Sequence, residues 1–211
     1  MSVGRGAGAR ALILAGALVG WSFTAGLRHP WRRHPVLQAG LGTALALGAR
    51  APLGLRPPAA GAGLRLGAAA AVAAVAGIAG STALPRVRHA MADRELPRHP
   101  WRWLALEIPL GTVWSEETAF RGALAALGTA AFGPRGGRQL QAVAFGLSHV
   151  PDARAARASP AATAGTVLVT GLAGWAFGLL AERSGSLIAP VLAHLAVNEA
   201  GAVAALVVRG T

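Results

Sequence analysis

Apolar residues along this chain come in long runs, not in alternating or helical stripes, and short segments rich in arginine, proline and glycine separate them. A helix needs about 20 largely apolar residues to cross the hydrocarbon of a bilayer. The runs predict spans at 11–27, 36–53, 63–84, 104–128, 161–182 and 186–208. The stretch "LQAVAFGLSHV" adds a shorter apolar helix, about half a bilayer deep. The first span follows Arg5 and Arg10 and reads as an anchor, not a signal peptide, because further spans follow. Between the runs lie a basic loop, "RHPWRRHP", and a break at "LGLRPPAAGAG". A polar connector follows at 85–103, amphipathic and interfacial, with Trp101 and Trp103 at headgroup depth. "FGPRGGRQ" and "ERSGS" read as turns and "PDARAARASP" as a polar loop. The expectation is an all-α, polytopic transmembrane helical bundle of about seven membrane segments, with no internal repeat.

Composition supports that reading. Of the 211 residues 54% are hydrophobic and 13% charged, with a mean hydropathy of +0.49, whereas a soluble domain carries about a quarter charged residues. The net charge is +12, and every basic residue other than histidine is arginine. Those arginines sit between apolar runs, where positive residues meet anionic headgroups. Without a recognisable nucleic-acid module or an interleaved aromatic and basic patch, no nucleic-acid partner is expected. Cysteine is absent, which excludes disulfides and thiol chemistry. Glycines at helical close-packing spacing, Gly16–Gly20 and Gly174–Gly178, predict helices approaching closely within one protein.

The candidate chemistry lies in what is ionisable or polar inside the later spans: Glu107, Glu116, Glu117, Arg121, His149, His194, Asn198 and Glu199. A buried ionisable residue in a membrane marks function by default. Glu117 and Arg121 are four apart on one helical face, the acid first, and predict a structural ion pair at the site. Glu116 points about 100° away from Glu117, so one arginine does not serve both. An unpaired carboxylate in low dielectric suits a general base. His149 ends "AFGLSH", one turn after Phe145, and His194 and Asn198 are again one turn apart in "HLAVN". Together these give a carboxylate, two imidazoles and a carboxamide on three helices. Glu116 could take a proton from water with help from His149, while His194 and Asn198 donate to an oxyanion. Alternatively Glu116, His149 and His194 could ligate a zinc ion holding a nucleophilic water. The chain has no HExxH, Gly-x-Gly-Asp or phosphate-binding glycine loop.

"EETAFRG", "FGLSH" and "HLAVN" resemble the three motifs EExxxR, FxxxH and HxxxN of the CAAX-prenyl-protease and bacteriocin-processing (CPBP) intramembrane proteases. That family was formerly called abortive-infection and includes the eukaryotic Rce1-type enzymes. The likeness covers about 101–205. It implies a division into 1–100, N-terminal transmembrane helices plus the basic connector, and 101–211, a catalytic transmembrane core. It also implies an intramembrane endopeptidase acting on a membrane-associated peptide or protein, with Glu116, His149, His194 and Asn198 catalytic. Family members are described both as zinc enzymes and as metal-independent glutamate proteases, so the metal stays open. The arginine-only, alanine-rich composition resembles that of a high-GC bacterium, so the expected location is a bacterial plasma membrane and prenylated substrates are not expected. The competing reading is a non-proteolytic multi-pass protein (scaffold, immunity factor or small transporter) that uses the polar cluster as helix glue.

Overall fold

The structure, a computed structural model, describes residues 2–26, 30–93 and 95–210. The end of the first predicted span at Leu27, the start of the basic loop at 28–29, Arg94 and Thr211 lie outside the described residues. Every described element is helical. Helix α1 is Ser2–Ser22, α2 Pro35–Gly48, α3 Ala59–Thr82 and α4 Pro85–Ala92. Helix α5 runs from 100 to 132 and α6 from 134 to 147; α7 is Val150–Ala155, α8 Pro160–Ser184 and α9 Ile188–Gly210. Proline occupies the first turn of α2, α4, α5, α7 and α8. There its missing N–H costs nothing, and its fixed φ is already helical. Helix α8 is also capped at both ends: the Ser159 hydroxyl accepts from the Ala162 amide, and Gly185 ends it at φ 66°.

Helices α3, α8 and α9 are long and apolar enough to cross a membrane, and 6–22 and 35–48 are shorter apolar helices. Their outward faces carry Ile13, Val72, Leu168, Val169 and Leu172, each 66–70% exposed. In water such a surface would aggregate; against lipid it is what a helical membrane bundle presents.

Two predicted loops are shorter than expected. "FGPRGGRQ" is not an eight-residue turn: the chain reverses at Gly133, at φ 75°, and the helix resumes at Pro134. Tight packing explains it. A Cβ on Gly128 would lie 2.9 Å from the Gly137 Cα, so these glycines let α5 and α6 fold back on each other. "PDARAARASP" contains α7, with Asp152 in its first turn and Arg154 in its last, the order that the helix dipole favours.

Helix α5 runs through the bundle and carries its chemistry. Over Trp103–Trp114 and Glu117–Leu124 it is wound as a π-helix, the Ser115 amide reaching the Leu110 carbonyl five residues back. Pro109 lies in the first stretch, where it contributes no N–H. Glu116 sits where the two stretches meet, and π-type winding is frequent at functional sites. Helix α2 crosses α5 so closely that a Cβ on Gly42 would lie 2.4 Å from the Thr118 hydroxyl, and Trp114 Nε1 donates to Thr43 Oγ1 at 2.9 Å. Ile108, Val113 and Ala202 form the core between α5 and α9. Ala15, Phe120, Leu124 and Phe145 form the core among α1, α5 and α6. Of the two predicted close-packing pairs, Gly174–Gly178 marks close packing, since a Cβ on either would collide with α6 at Phe145 or Gln141, whereas Gly16–Gly20 does not, since a Cβ there would meet nothing within 4 Å.

Candidate active site

Glu117 is fully buried, and its Oε1 takes two partners. Arg121 Nη1 lies 3.2 Å away, one turn along α5, and His194 Nδ1 lies 2.7 Å away on α9. A carboxylate accepts, so His194 Nδ1 carries the hydrogen of this bond. The predicted ion pair is therefore present as a contact, but Glu117 also fixes the His194 ring from 77 residues away in sequence. Sequence spacing carried no sign of that second bond.

Arg121 is buried with no nitrogen aligned for a hydrogen bond. Its charge is met by Glu117 and by two aromatic faces, with Cζ 4.0 Å from the Phe145 ring centroid and 5.2 Å from that of Phe177. Phe177, on α8, escaped sequence analysis, although it stands one turn after Gly174 in the "GWAFG" stretch. Glycine at 174 is required here. A Cβ there would sit 2.9 Å from Phe145 Cδ1 and 3.2 Å from Arg121 Nη2.

Glu116 is placed differently. Its side chain is 29% exposed, and Oε2 lies 3.9 Å from His194 Nε2 with no hydrogen-bond partner. It faces a cavity of about 590 Å³. Leu14 and Leu18 of α1, Leu41 and Leu45 of α2, and Phe120 of α5 are among its apolar lining, and His149 is among its polar lining. His149 Nδ1 is 2.8 Å from the Phe145 carbonyl. A carbonyl only accepts, so Nδ1 carries the hydrogen and Nε2 is left as the basic nitrogen. Phe145 also meets the His149 ring edge to face at 4.7 Å.

Helices α5 and α9 thus cluster Glu116, Glu117, Arg121 and His194, and α6 places His149 in the cavity that Glu116 lines, while Glu117, Arg121 and His194 lie behind that lining. Asn198 is arranged otherwise than as a donor paired with His194. Its Nδ2 donates to the His194 carbonyl at 3.1 Å, within α9, and it does not line the cavity. Glu107 pairs with Arg102 at 3.2 Å at the exposed start of α5. Glu199 has a buried, unpartnered Oε1 away from the cavity.

The donor set does not fit a ready metal site. Among the described residues, no three histidine, aspartate or glutamate side chains converge on a point where an ion would bind. His194 donates Nδ1–H to Glu117, which leaves Nε2 at 3.9 Å from Glu116 Oε2 as a two-donor arrangement without a third ligand. The Glu116, His149 and His194 set is thus not preassembled as zinc ligands. The cavity instead presents the Glu116 carboxylate and the His149 imidazole to whatever occupies it.

Residues 98–200 match the family described as type II CAAX prenyl endopeptidase Rce1-like. Comparison with curated proteins and with solved structures gives no match. The matched segment runs from just before α5 into α9 and so includes Glu116, Glu117, Arg121, His149, His194 and Asn198. Motifs, membrane bundle and family match agree: residues 98–200, the segment that carries all three motifs, belong to the Rce1-like family of CAAX-type endopeptidases.

Proposed function

We propose that this protein hydrolyses a peptide bond of a membrane-associated peptide or protein, with Glu116 as general base. The observation that carries the reading is the division of labour between neighbouring carboxylates. Glu117 is consumed by Arg121 and His194, whereas Glu116 faces the cavity that His149 also lines. A water held between Glu116 and His149 Nε2 gives a proton to Glu116, and its oxygen attacks the peptide carbonyl carbon. The carbonyl electron pair moves onto oxygen. His194, protonated at Nε2, donates to that oxyanion, and Glu117 at Nδ1 balances the positive ring, as the acid of a hydrolytic triad does. Collapse of the intermediate breaks the C–N bond, and the proton held by Glu116 passes to the leaving amine. The products are a new carboxylate and a new amino terminus.

Arg121 neutralises Glu117, which keeps that carboxylate available as an ionised acceptor. Asn198 serves by holding the backbone turn that carries His194. Residues 101–211 form the catalytic core. Residues 1–100 complete the cavity through α1 and α2, and the whole is a multi-pass protein of a bacterial plasma membrane. Catalysis through water predicts that a chelator leaves the rate unchanged. Glu116→Gln and His194→Ala test the assignment together. Both should accumulate in the membrane as the parent does and lose processing of membrane-associated peptides; retention of full activity by both would end the protease reading.

A further inference from the structure

His194 has to present Nε2 to a reacting carbonyl, yet a single hydrogen bond at Nδ1 leaves its ring free to swing about that bond. We propose that Phe177 is the positioning residue that fixes the His194 ring plane, by stacking on its face from α8. This deepens the hydrolytic reading and rests on it for its consequence in turnover, but not for its geometry. The two rings are nearly parallel, 26° apart, with centroids 5.0 Å from each other. Phe145 closes a second side, perpendicular to the imidazole at 6.0 Å. Phe177 is 7% exposed and lies outside all three sequence motifs.

The stack has a chemical use beyond rigidity. When His194 donates to an oxyanion its ring is cationic, and a cation over an aromatic face is stabilised by the ring quadrupole. The same ring lies 5.2 Å from the Arg121 guanidinium, so Phe177 touches both cationic partners of Glu117. The groups around His194 are Glu116, Glu117 and Arg121 from α5, Phe145 from α6, Phe177 from α8 and Asn198 on its own helix. Two glycines let Phe177 reach this place. Gly174 admits Phe145 and Arg121 beneath α8, and Gly178 admits Gln141, whose Nε2 donates to the Gly174 carbonyl at 2.9 Å. Helix α8, which supplies no residue of the three motifs, is thereby drawn into the site.

The test compares Phe177→Leu, which keeps bulk and loses the ring, with Phe177→Tyr, which keeps the ring. Each is made in full-length protein labelled with 15N-histidine in phosphatidylglycerol nanodiscs, with the His194 signals assigned from a His194→Gln variant. The His194 Nδ1–H should be a slowly exchanging, hydrogen-bonded proton in the parent and in Phe177→Tyr. In Phe177→Leu it should exchange at least tenfold faster. Cleavage of a quenched apolar decapeptide in the same nanodiscs should lose about 10–100-fold in kcat with KM within about twofold. Phe177→Tyr should restore most of that loss. A Phe177→Leu protein with the parent's exchange rate and kcat overturns the proposal. If the parent cleaves nothing while the exchange still responds to Phe177, the positioning role stands and the proteolytic reading falls.

Discussion

Glu116 and Glu117 are adjacent in sequence and chemically unlike, and the difference comes from what each side chain meets. Burial without a partner costs a charged group several kcal/mol, and Glu117 meets both Arg121 and His194. Removing one member of such a buried pair is expected to be severe. Arg121→Met should lower stability by about 3–5 kcal/mol, read as unfolding in detergent, because it strands the Glu117 charge. Glu117→Gln should be milder for stability but should cost activity, since a carboxamide does not balance a cationic His194. A kcat loss with little change in KM is the result that separates this from a folding defect. Spacing was enough to anticipate the Glu117–Arg121 contact, since residues four apart share a face. It could not reveal the Glu117–His194 bond or the Phe177 stack, because both depend on how α8 and α9 lie against α5.

At the level of elements, the apolar runs translated into helices because a run that is apolar all round buries or meets lipid on every face. The predicted spans at 63–84, 161–182 and 186–208 correspond to α3, α8 and α9 within a few residues. What pattern alone misjudged was the connection between α5 and α6. Glycines that look like turn residues in "FGPRGGRQ" are helical close-packing residues, apart from Gly133, which alone carries the positive φ. The polar "PDARAARASP" hid a helical turn because a short helix at an interface needs no apolar face. The winding of α5 was not readable either, since no residue pattern distinguishes a π-helix from an α-helix. Helix α8 depends on Gly174 to reach its place. Gly174→Val should push it off Phe145 and Arg121 and destabilise the bundle by about 1–3 kcal/mol, measured as an earlier thermal transition in detergent. The equivalent change at Gly77, where an added Cβ would meet nothing within 4 Å, should leave that transition within about 1 °C.

The whole molecule places its charge economically. Arginines flank the apolar helices, the outer faces are aliphatic, and Glu116, Glu117 and His194 meet inside the bundle beside a cavity that Glu116 and His149 line. Under the proposed function, a substrate arriving from the membrane is cut where water is scarce, and the protein supplies base and oxyanion donor from its own side chains. The donor set is not assembled as metal ligands. Prolonged dialysis against a chelator should therefore leave cleavage within about twofold of the untreated rate, whereas loss of activity restored by zinc would overturn the water-only mechanism. The most direct test of the central claim, hydrolysis by Glu116, is isotopic. Membranes containing the protein or its Glu116→Gln variant are incubated in H2 18O, and the released peptides are read by mass spectrometry. The mechanism predicts new C-termini carrying one 18O with the parent protein, and a fall of about 10²–10⁴-fold in their rate of formation with Glu116→Gln at equal membrane abundance. Labelled C-termini produced by Glu116→Gln at the parental rate would contradict it.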